Sequence, residues 1–119
     1  MKQDYLQIKV LEVAPQVYAA GQLFESDLKL ISGQKVRSII NTWVEDEASG
    51  RSMGGFAKAA EEYGIRFVEV PVDPASITTE MARAFWDTCE ELERPLIVCS
   101  RSGALSTKIW ETAEAAASQ

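Results

Sequence analysis

The stretch that most constrains the fold of this chain runs from Pro95 to Ser106 and reads PLIVCSRSGALS. The apolar run LIVC favours a buried strand, and a short polar segment with one glycine follows it directly and opens a helix. The first backbone N–H groups of a helix lack intrahelical acceptors, and the helix dipole favours negative charge at that end. The stretch therefore predicts an anion-binding loop after a core strand.

The rest of the chain alternates between strand and helix character. The runs Val36–Thr42, Arg66–Val70 and Leu96–Cys99 are typical of buried strands, and Thr78 caps a helix whose apolar residues recur at helical spacing. This alternation predicts an α/β fold, a mostly parallel central sheet with helices on both faces. Ligands of such folds bind beyond the carboxyl ends of the strands. The length of 119 residues predicts a single domain over 1–119.

Proline, glycine and capping residues set the other predicted boundaries. The remaining predicted elements are strands over Gln7–Val13 and Gln16–Ala19, a short helix from a Ser26 N-cap to Gly33, a loop over Glu45–Gly55, a helix over Phe56–Tyr63 and a last helix over Leu105–Ala117.

The composition excludes several classes of function. The chain carries a net charge of −6 and contains no histidine. An acidic surface disfavours nucleic-acid binding. Without histidine, neither a serine–histidine hydrolase nor a histidine zinc site is available. We expect no metal and no cofactor. We expect no membrane partner, because no apolar run approaches the roughly 20 residues of a membrane span. Two cysteines and no secretory signal predict a cytoplasmic location.

Four segments in order carry a resemblance to a known family: AAGQL at 19–23, VRSIIN at 36–41, YGIRFVEVPV at 63–72 and RSG at 101–103. Together they resemble the beta-lactamase-hydrolase-like phosphatases, a bacterial branch near the dual-specificity and tyrosine phosphatases. The resemblance covers roughly residues 7 to 117. It implies a cysteine-phosphatase fold whose active site is the loop after the last core strand. The implied partner is phosphate or another small anion, including a phosphorylated ligand or protein.

The family pattern at this loop resembles His/Tyr-Cys-Arg-Ser-Gly-x-Arg-Ser. Aligned on Arg101-Ser102-Gly103, it places Ser100 at the nucleophile and Leu105 at the terminal arginine. A serine hydroxyl ionises far less readily than a thiol and needs a partner base, and leucine cannot offer a planar fork to phosphate. The sequence therefore favours a catalytically impaired, phosphatase-like pseudoenzyme. The phosphate-binding residues that the resemblance implies are Ser100, Arg101, Ser102, Gly103, Ala104, Leu105 and Ser106.

Alternatives remain open at the loop. An active phosphohydrolase would use Cys99 or Ser100 as nucleophile and Asp73 as general acid, whereas Cys99 is otherwise an inert buried residue and Asp73 a turn residue before proline. A third alternative is sulfur transfer on Cys99. Arg101 either contacts the anion or holds the loop, and Trp43 either lines the pocket mouth or packs. Ser102 and Ser106 either contact the anion or cap the helix.

Overall fold

The computed structural model describes residues 10–43, 54–73 and 75–118. Its strands are β1 (Val10–Ala14), β2 (Val17–Ala20), β3 (Ser38–Asn41), β4 (Arg66–Glu69) and β5 (Leu96–Cys99). Its helices are α1 (Leu28–Gly33), α2 (Gly54–Glu62), α3 (Thr79–Glu91) and α4 (Gly103–Ala117), with a 3-10 turn at Glu25–Asp27 before α1. The predicted strand residues 7–9 and the predicted loop residues 45–53 lie outside the described residues.

The five strands form one sheet in the order β1-β2-β5-β3-β4. β1 pairs antiparallel with β2, and the other three pairings are parallel. In the register of the sheet, Asn41 is opposite both Cys99 and Glu69. The carboxyl ends of three strands therefore lie side by side, which confirms the predicted α/β fold and its mostly parallel sheet.

Helices cover both faces of the sheet, as predicted, and alternate residues of each strand supply two separate cores. On β5, Ile97 and Cys99 pack in the core that includes residues of α1 and α2. Leu96 and Val98 pack in the core that includes residues of α3 and α4. Since both faces of β5 are covered, all four of its residues are apolar and buried.

Three helix starts differ from the sequence prediction. α2 begins at Gly54, so the last two residues of the predicted loop over Glu45–Gly55 are helical, and the helix starts two residues before the predicted Phe56. Ser26 lies inside the 3-10 turn and caps no helix; the Asp27 carboxylate accepts the Phe24 N–H at 2.8 Å instead. α4 begins at Gly103 because Ser102 caps it, whereas the apolar pattern placed its start at Leu105. No helix in the described ranges is long and apolar enough to cross a bilayer.

Candidate active site

The loop from Ser100 to Ser102, here the β5–α4 loop, turns the chain from the sheet into α4. Ser102 has extended backbone, and its Oγ accepts the Leu105 N–H at 3.1 Å, while its carbonyl oxygen accepts the Ser106 N–H at 3.1 Å. Both bonds are those of a helix N-cap. The Gly103 and Ala104 N–H groups stand in the first turn, where a helix provides no acceptor.

Two serine hydroxyls meet beneath this turn in a buried pair. Ser100 is 4% exposed and Ser106 0% exposed, and their Oγ atoms lie 2.8 Å apart. The Ser106 hydroxyl donates to the Ala20 carbonyl at 2.6 Å, and the Ser100 hydroxyl donates to the Ser102 carbonyl at 2.9 Å. Each hydroxyl has one proton, and carbonyls only accept. The Ser106 hydroxyl therefore donates its hydrogen bond to the Ala20 carbonyl. The Ser100 hydroxyl donates a hydrogen bond that is shared between the Ser102 carbonyl oxygen and the Ser106 Oγ.

The end of β2 supports the loop from behind. A Cβ added at Gly21 would meet the Ser102 Cα at 3.3 Å and the Gly103 N at 3.4 Å. These distances are shorter than most Cβ contacts, so the close approach of the two backbone segments favours glycine at this position. Together with the bond from Ser106 to Ala20, this contact ties the loop to the sheet.

A pocket of about 450 Å³ opens beside the loop at the carboxyl ends of the strands. We call it the strand-end pocket. Its lining consists of Thr42, Trp43, Val72, Asp73, Ala75, Ser100, Arg101, Leu105 and Ile109. A ligand pocket is expected at this position in a parallel sheet, and its volume suits a small molecule.

One cation and one anion stand in the described lining of the pocket. The Arg101 guanidinium lies 5.9 Å from the centroid of the Trp43 ring, within range of a cation–π interaction. Asp73 is exposed, and its Oδ1 accepts the Ala75 N–H at 2.9 Å in a turn. Asp73 thus has the turn role that the sequence suggested, and its carboxylate also borders the pocket that Ser100 lines.

Cys99 lies away from the strand-end pocket. It is 1% exposed and packs in the core on the α1 and α2 face, and its thiol donates to the Asn41 Oδ1 at 3.6 Å. Its carbonyl oxygen accepts from both the N–H and the hydroxyl of Thr42, at 3.0 Å and 3.1 Å. The backbone of Cys99 therefore joins β5 to the end of β3, while its side chain belongs to the core.

The residues of the predicted anion site separate into three groups. Ser100, Arg101 and Leu105 line the strand-end pocket, and Ser106 is buried behind it. Ser102, Gly103 and Ala104 line a groove of about 1010 Å³ on the β1 and β2 side of the loop.

Sequence reasoning did not identify Thr42, Val72 or Ile109 as pocket residues. Ile109 lies four positions after Leu105, one helical turn away, so helical spacing alone could have found it. Thr42 and Val72 follow two strands whose ends meet at the same sheet edge, and that pairing carries no local signal.

Solved structures of phosphatases share this fold. A candidate phosphatase from Neisseria meningitidis superposes with a TM-score of 0.80 at 21% identity, covering 92% of this chain and 78% of that one. The core catalytic domain of the PP-IP phosphatase SIW14 from S. cerevisiae, in complex with citrate, gives 0.62 at 13% identity, with coverages of 91% and 75%. A Cys-to-Ser variant of TpbA from P. aeruginosa, in complex with phosphotyrosine, gives 0.60 at 11% identity, with coverages of 80% and 54%.

The family itself follows from the sequence match. Residues 8–117 match the phosphatase-like domain of the beta-lactamase hydrolase-like proteins, and the chain belongs to that family. We found no significant match among curated proteins. The resemblance seen in the sequence is therefore confirmed, and the chain is a phosphatase-like domain.

Proposed function

We propose that this phosphatase-like domain binds a small anion in the strand-end pocket and does not hydrolyse phosphate esters. The observation that carries the proposal is the hydrogen bonding of the Ser100 hydroxyl, which occupies the nucleophile position of the family pattern. That hydroxyl is a hydrogen-bond donor to the Ser102 carbonyl oxygen, at 2.9 Å, and to the Ser106 Oγ.

Attack on phosphorus would require Ser100 to lose this proton. The resulting alkoxide would then face the carbonyl oxygen of Ser102, the negative end of a dipole, across a hydrogen-bond distance. A serine nucleophile also needs an adjacent general base, and the chain contains no histidine to serve as one. The environment of Ser100 thus stabilises the neutral hydroxyl.

Leu105 stands where the family pattern has its terminal arginine, so the second group needed for phosphate transfer is missing. An arginine at this position would offer a planar pair of donors to two phosphate oxygens and stabilise charge during transfer. Leu105 instead presents an apolar side chain to the pocket. Arg101 is the cation left in the described lining, and it lies against the Trp43 ring at the pocket wall.

Binding of an anion without turnover remains compatible with the site. Among the described residues, no carboxylate forms an ion pair with Arg101. Two structural neighbours hold small anions, citrate in one and phosphotyrosine in the other. We propose a small anionic ligand, free or on a protein partner. Both cysteines are free and buried, which is consistent with the reducing cytoplasm that we propose as its location.

An active phosphohydrolase is the second candidate function, because Asp73 and Ser100 line the same pocket. In that mechanism the Asp73 carboxyl would protonate the leaving oxygen while Ser100 attacks. Cys99 is a weaker candidate for phosphoryl or sulfur transfer, because its thiol lies in the core on the opposite face of the sheet and donates to an amide oxygen.

Hydrolysis of p-nitrophenyl phosphate separates the two candidates. We expect the wild-type rate to equal the uncatalysed rate and to be unchanged in Ser100→Ala and Asp73→Asn. A wild-type rate clearly above background that falls in Ser100→Ala, Asp73→Asn or Cys99→Ala would overturn the proposal. Circular dichroism of each variant shows whether a lost rate reflects lost folding.

Anion binding is tested separately by amide chemical shifts. Sulfate, phosphate and acetate are added in turn at constant ionic strength, with chloride as the reference. At least one of them should shift the amide of Arg101 with saturation, and Arg101→Ala should abolish saturation elsewhere in the pocket. Arg83→Ala is the matched control, since Arg83 is exposed on α3, outside the pocket lining. Absence of saturable shifts for all three anions would refute the binding half of the proposal.

A further inference from the structure

The lining of the strand-end pocket points to the chemical class of its ligand. We propose that the pocket binds an aromatic or similarly apolar molecule that carries one carboxylate, in preference to a phosphate ester. This inference rests on the proposed function, since it names the anion that the same pocket takes.

The inner part of the pocket is apolar. Val72 and Ile109 are each 2% exposed, and Leu105 lies one helical turn before Ile109 on α4. Trp43 adds a flat aromatic wall. Three aliphatic side chains and an indole can bury a hydrocarbon body, and a volume of about 450 Å³ leaves room for a substituted ring.

The charges that line the pocket favour a monoanion over a dianion. Arg101 contributes one positive charge and Asp73 one negative charge, so the described lining is neutral in sum. A phosphate monoester carries about −1.5 to −2 at pH 7. A dianion would meet a single guanidinium, the nearby Asp73 carboxylate and a chain with a net charge of −6. A carboxylate needs only one guanidinium, whose planar fork fits two carboxylate oxygens.

The contact between Arg101 and Trp43 suits this arrangement. The Arg101 Cζ lies 5.9 Å from the centroid of the Trp43 ring, within range of a cation–π interaction, and the N–H donors of a guanidinium lie in its own plane. A carboxylate can therefore accept from the edge of Arg101 while the apolar body of the ligand contacts Leu105 and Ile109. Leu105, which removes the donors for phosphate, at the same time supplies apolar surface for this body.

Four probes test the inference: phenylacetate, acetate, phenyl phosphate and inorganic phosphate. Each is titrated into the wild-type protein at pH 7.5 and constant ionic strength, with calorimetry and amide shifts as readouts. We expect phenylacetate to bind at least tenfold more tightly than each of the other three. We also expect Arg101→Ala to weaken phenylacetate at least tenfold, and Arg83→Ala to leave it unchanged.

Substitution of Leu105 provides the reciprocal test. Leu105→Arg should weaken phenylacetate and strengthen phenyl phosphate, which inverts the order of the two ring-bearing probes. Ile109→Val, a smaller change, should weaken phenylacetate and leave acetate unchanged, and it tests the apolar contact if Leu105→Arg does not fold.

The outcomes separate the inference from the proposed function. If phenyl phosphate or inorganic phosphate binds more tightly than phenylacetate, or if all four probes bind equally, the inference is wrong. The proposal that the domain binds a small anion would still stand. Binding of phenylacetate that is indifferent to Arg101→Ala would also overturn it, because the carboxylate would then lie elsewhere. Failure of all four probes and of sulfate to bind would refute the inference and the binding half of the proposed function.

Discussion

The buried pair of Ser100 and Ser106 predicts an asymmetry in stability between two otherwise identical substitutions. Ser106→Ala removes the hydroxyl that donates to the Ala20 carbonyl at 2.6 Å in a site with 0% exposure. Ser100→Ala removes a hydroxyl whose two partners keep other bonds, since Ser102 O still accepts the Ser106 N–H and Ser106 Oγ still donates to Ala20.

The expected magnitudes follow from this difference. A buried acceptor deprived of its donor costs about 1–3 kcal/mol, so Ser106→Ala should lower the free energy of unfolding by about that amount. Loss of a hydroxyl that leaves its partners bonded costs less, and we expect about 0.5 kcal/mol for Ser100→Ala. Ser118→Ala is the matched control, because Ser118 is exposed at the end of α4 and its hydroxyl donates to the Glu114 carbonyl at 3.0 Å. It should change stability by less than about 0.5 kcal/mol.

Urea denaturation followed by far-UV circular dichroism measures all three variants and the Ser100→Ala/Ser106→Ala double variant. The double variant should cost about as much as Ser106→Ala alone. The interpretation of the pair is wrong if Ser100→Ala costs as much as Ser106→Ala, or if Ser106→Ala is as mild as Ser118→Ala. Either result would mean that the Ala20 carbonyl does not depend on the Ser106 hydroxyl.

Three further perturbations test other parts of the structure. Gly21→Ala should lower the free energy of unfolding by about 1–3 kcal/mol, because the added Cβ crowds backbone atoms. Gly33→Ala is the control and should not destabilise the protein, since nothing lies within 4 Å of its added Cβ. Urea denaturation of both variants measures the difference. Thr78→Ala should cost about 0.5–2 kcal/mol, since it removes the N-cap bond to Met81 N, and the midpoint of urea denaturation reports it. Burial raises the pKa of the Cys89 thiol from 9.0 to about 12, with a smaller opposing effect of Arg94, so the folded state keeps the proton where the unfolded state loses it. The contribution of the Cys89 thiol to the free energy of unfolding should therefore be fully present below pH 9.0 and be lost as the pH rises towards 12. Urea denaturation at pH 8 and pH 10.5 measures this loss of stability, which should be smaller in Cys89→Ala.

Local patterns were sufficient to predict β5, the loop and the cap of α3. LIVC is a continuous apolar run because both faces of β5 are covered, and Thr78 accepts the Met81 N–H as its position before the helix suggested. The same double burial explains why the sequence left the choice between Cys99 and Ser100 open. No polar residue within β5 marks which face each side chain meets, so the strand pattern does not show on which side the thiol lies.

The remainder of the site depends on long-range pairing. Thr42 reaches the pocket because β3 lies beside β5, although the two strands are more than fifty residues apart in sequence. The hydrogen bonds of the Ser100 hydroxyl likewise depend on contacts among Ala20, Ser102 and Ser106. The spacing of these residues in the sequence does not predict those contacts. Glycine has a low helix propensity, which explains why the apolar pattern placed the start of α4 after Gly103, whereas the Ser102 cap begins the helix there.

The two thiols occupy cores on opposite faces of the sheet, Cys89 on α3 and Cys99 on β5. A disulfide requires two side chains that point towards each other, and the Cys99 side chain leaves β5 on the face of the sheet opposite to the one that Cys89 packs against. Air oxidation of the native protein therefore cannot close an internal crosslink. Any covalent dimer that accumulates during storage would report molecules that have opened far enough to expose a core.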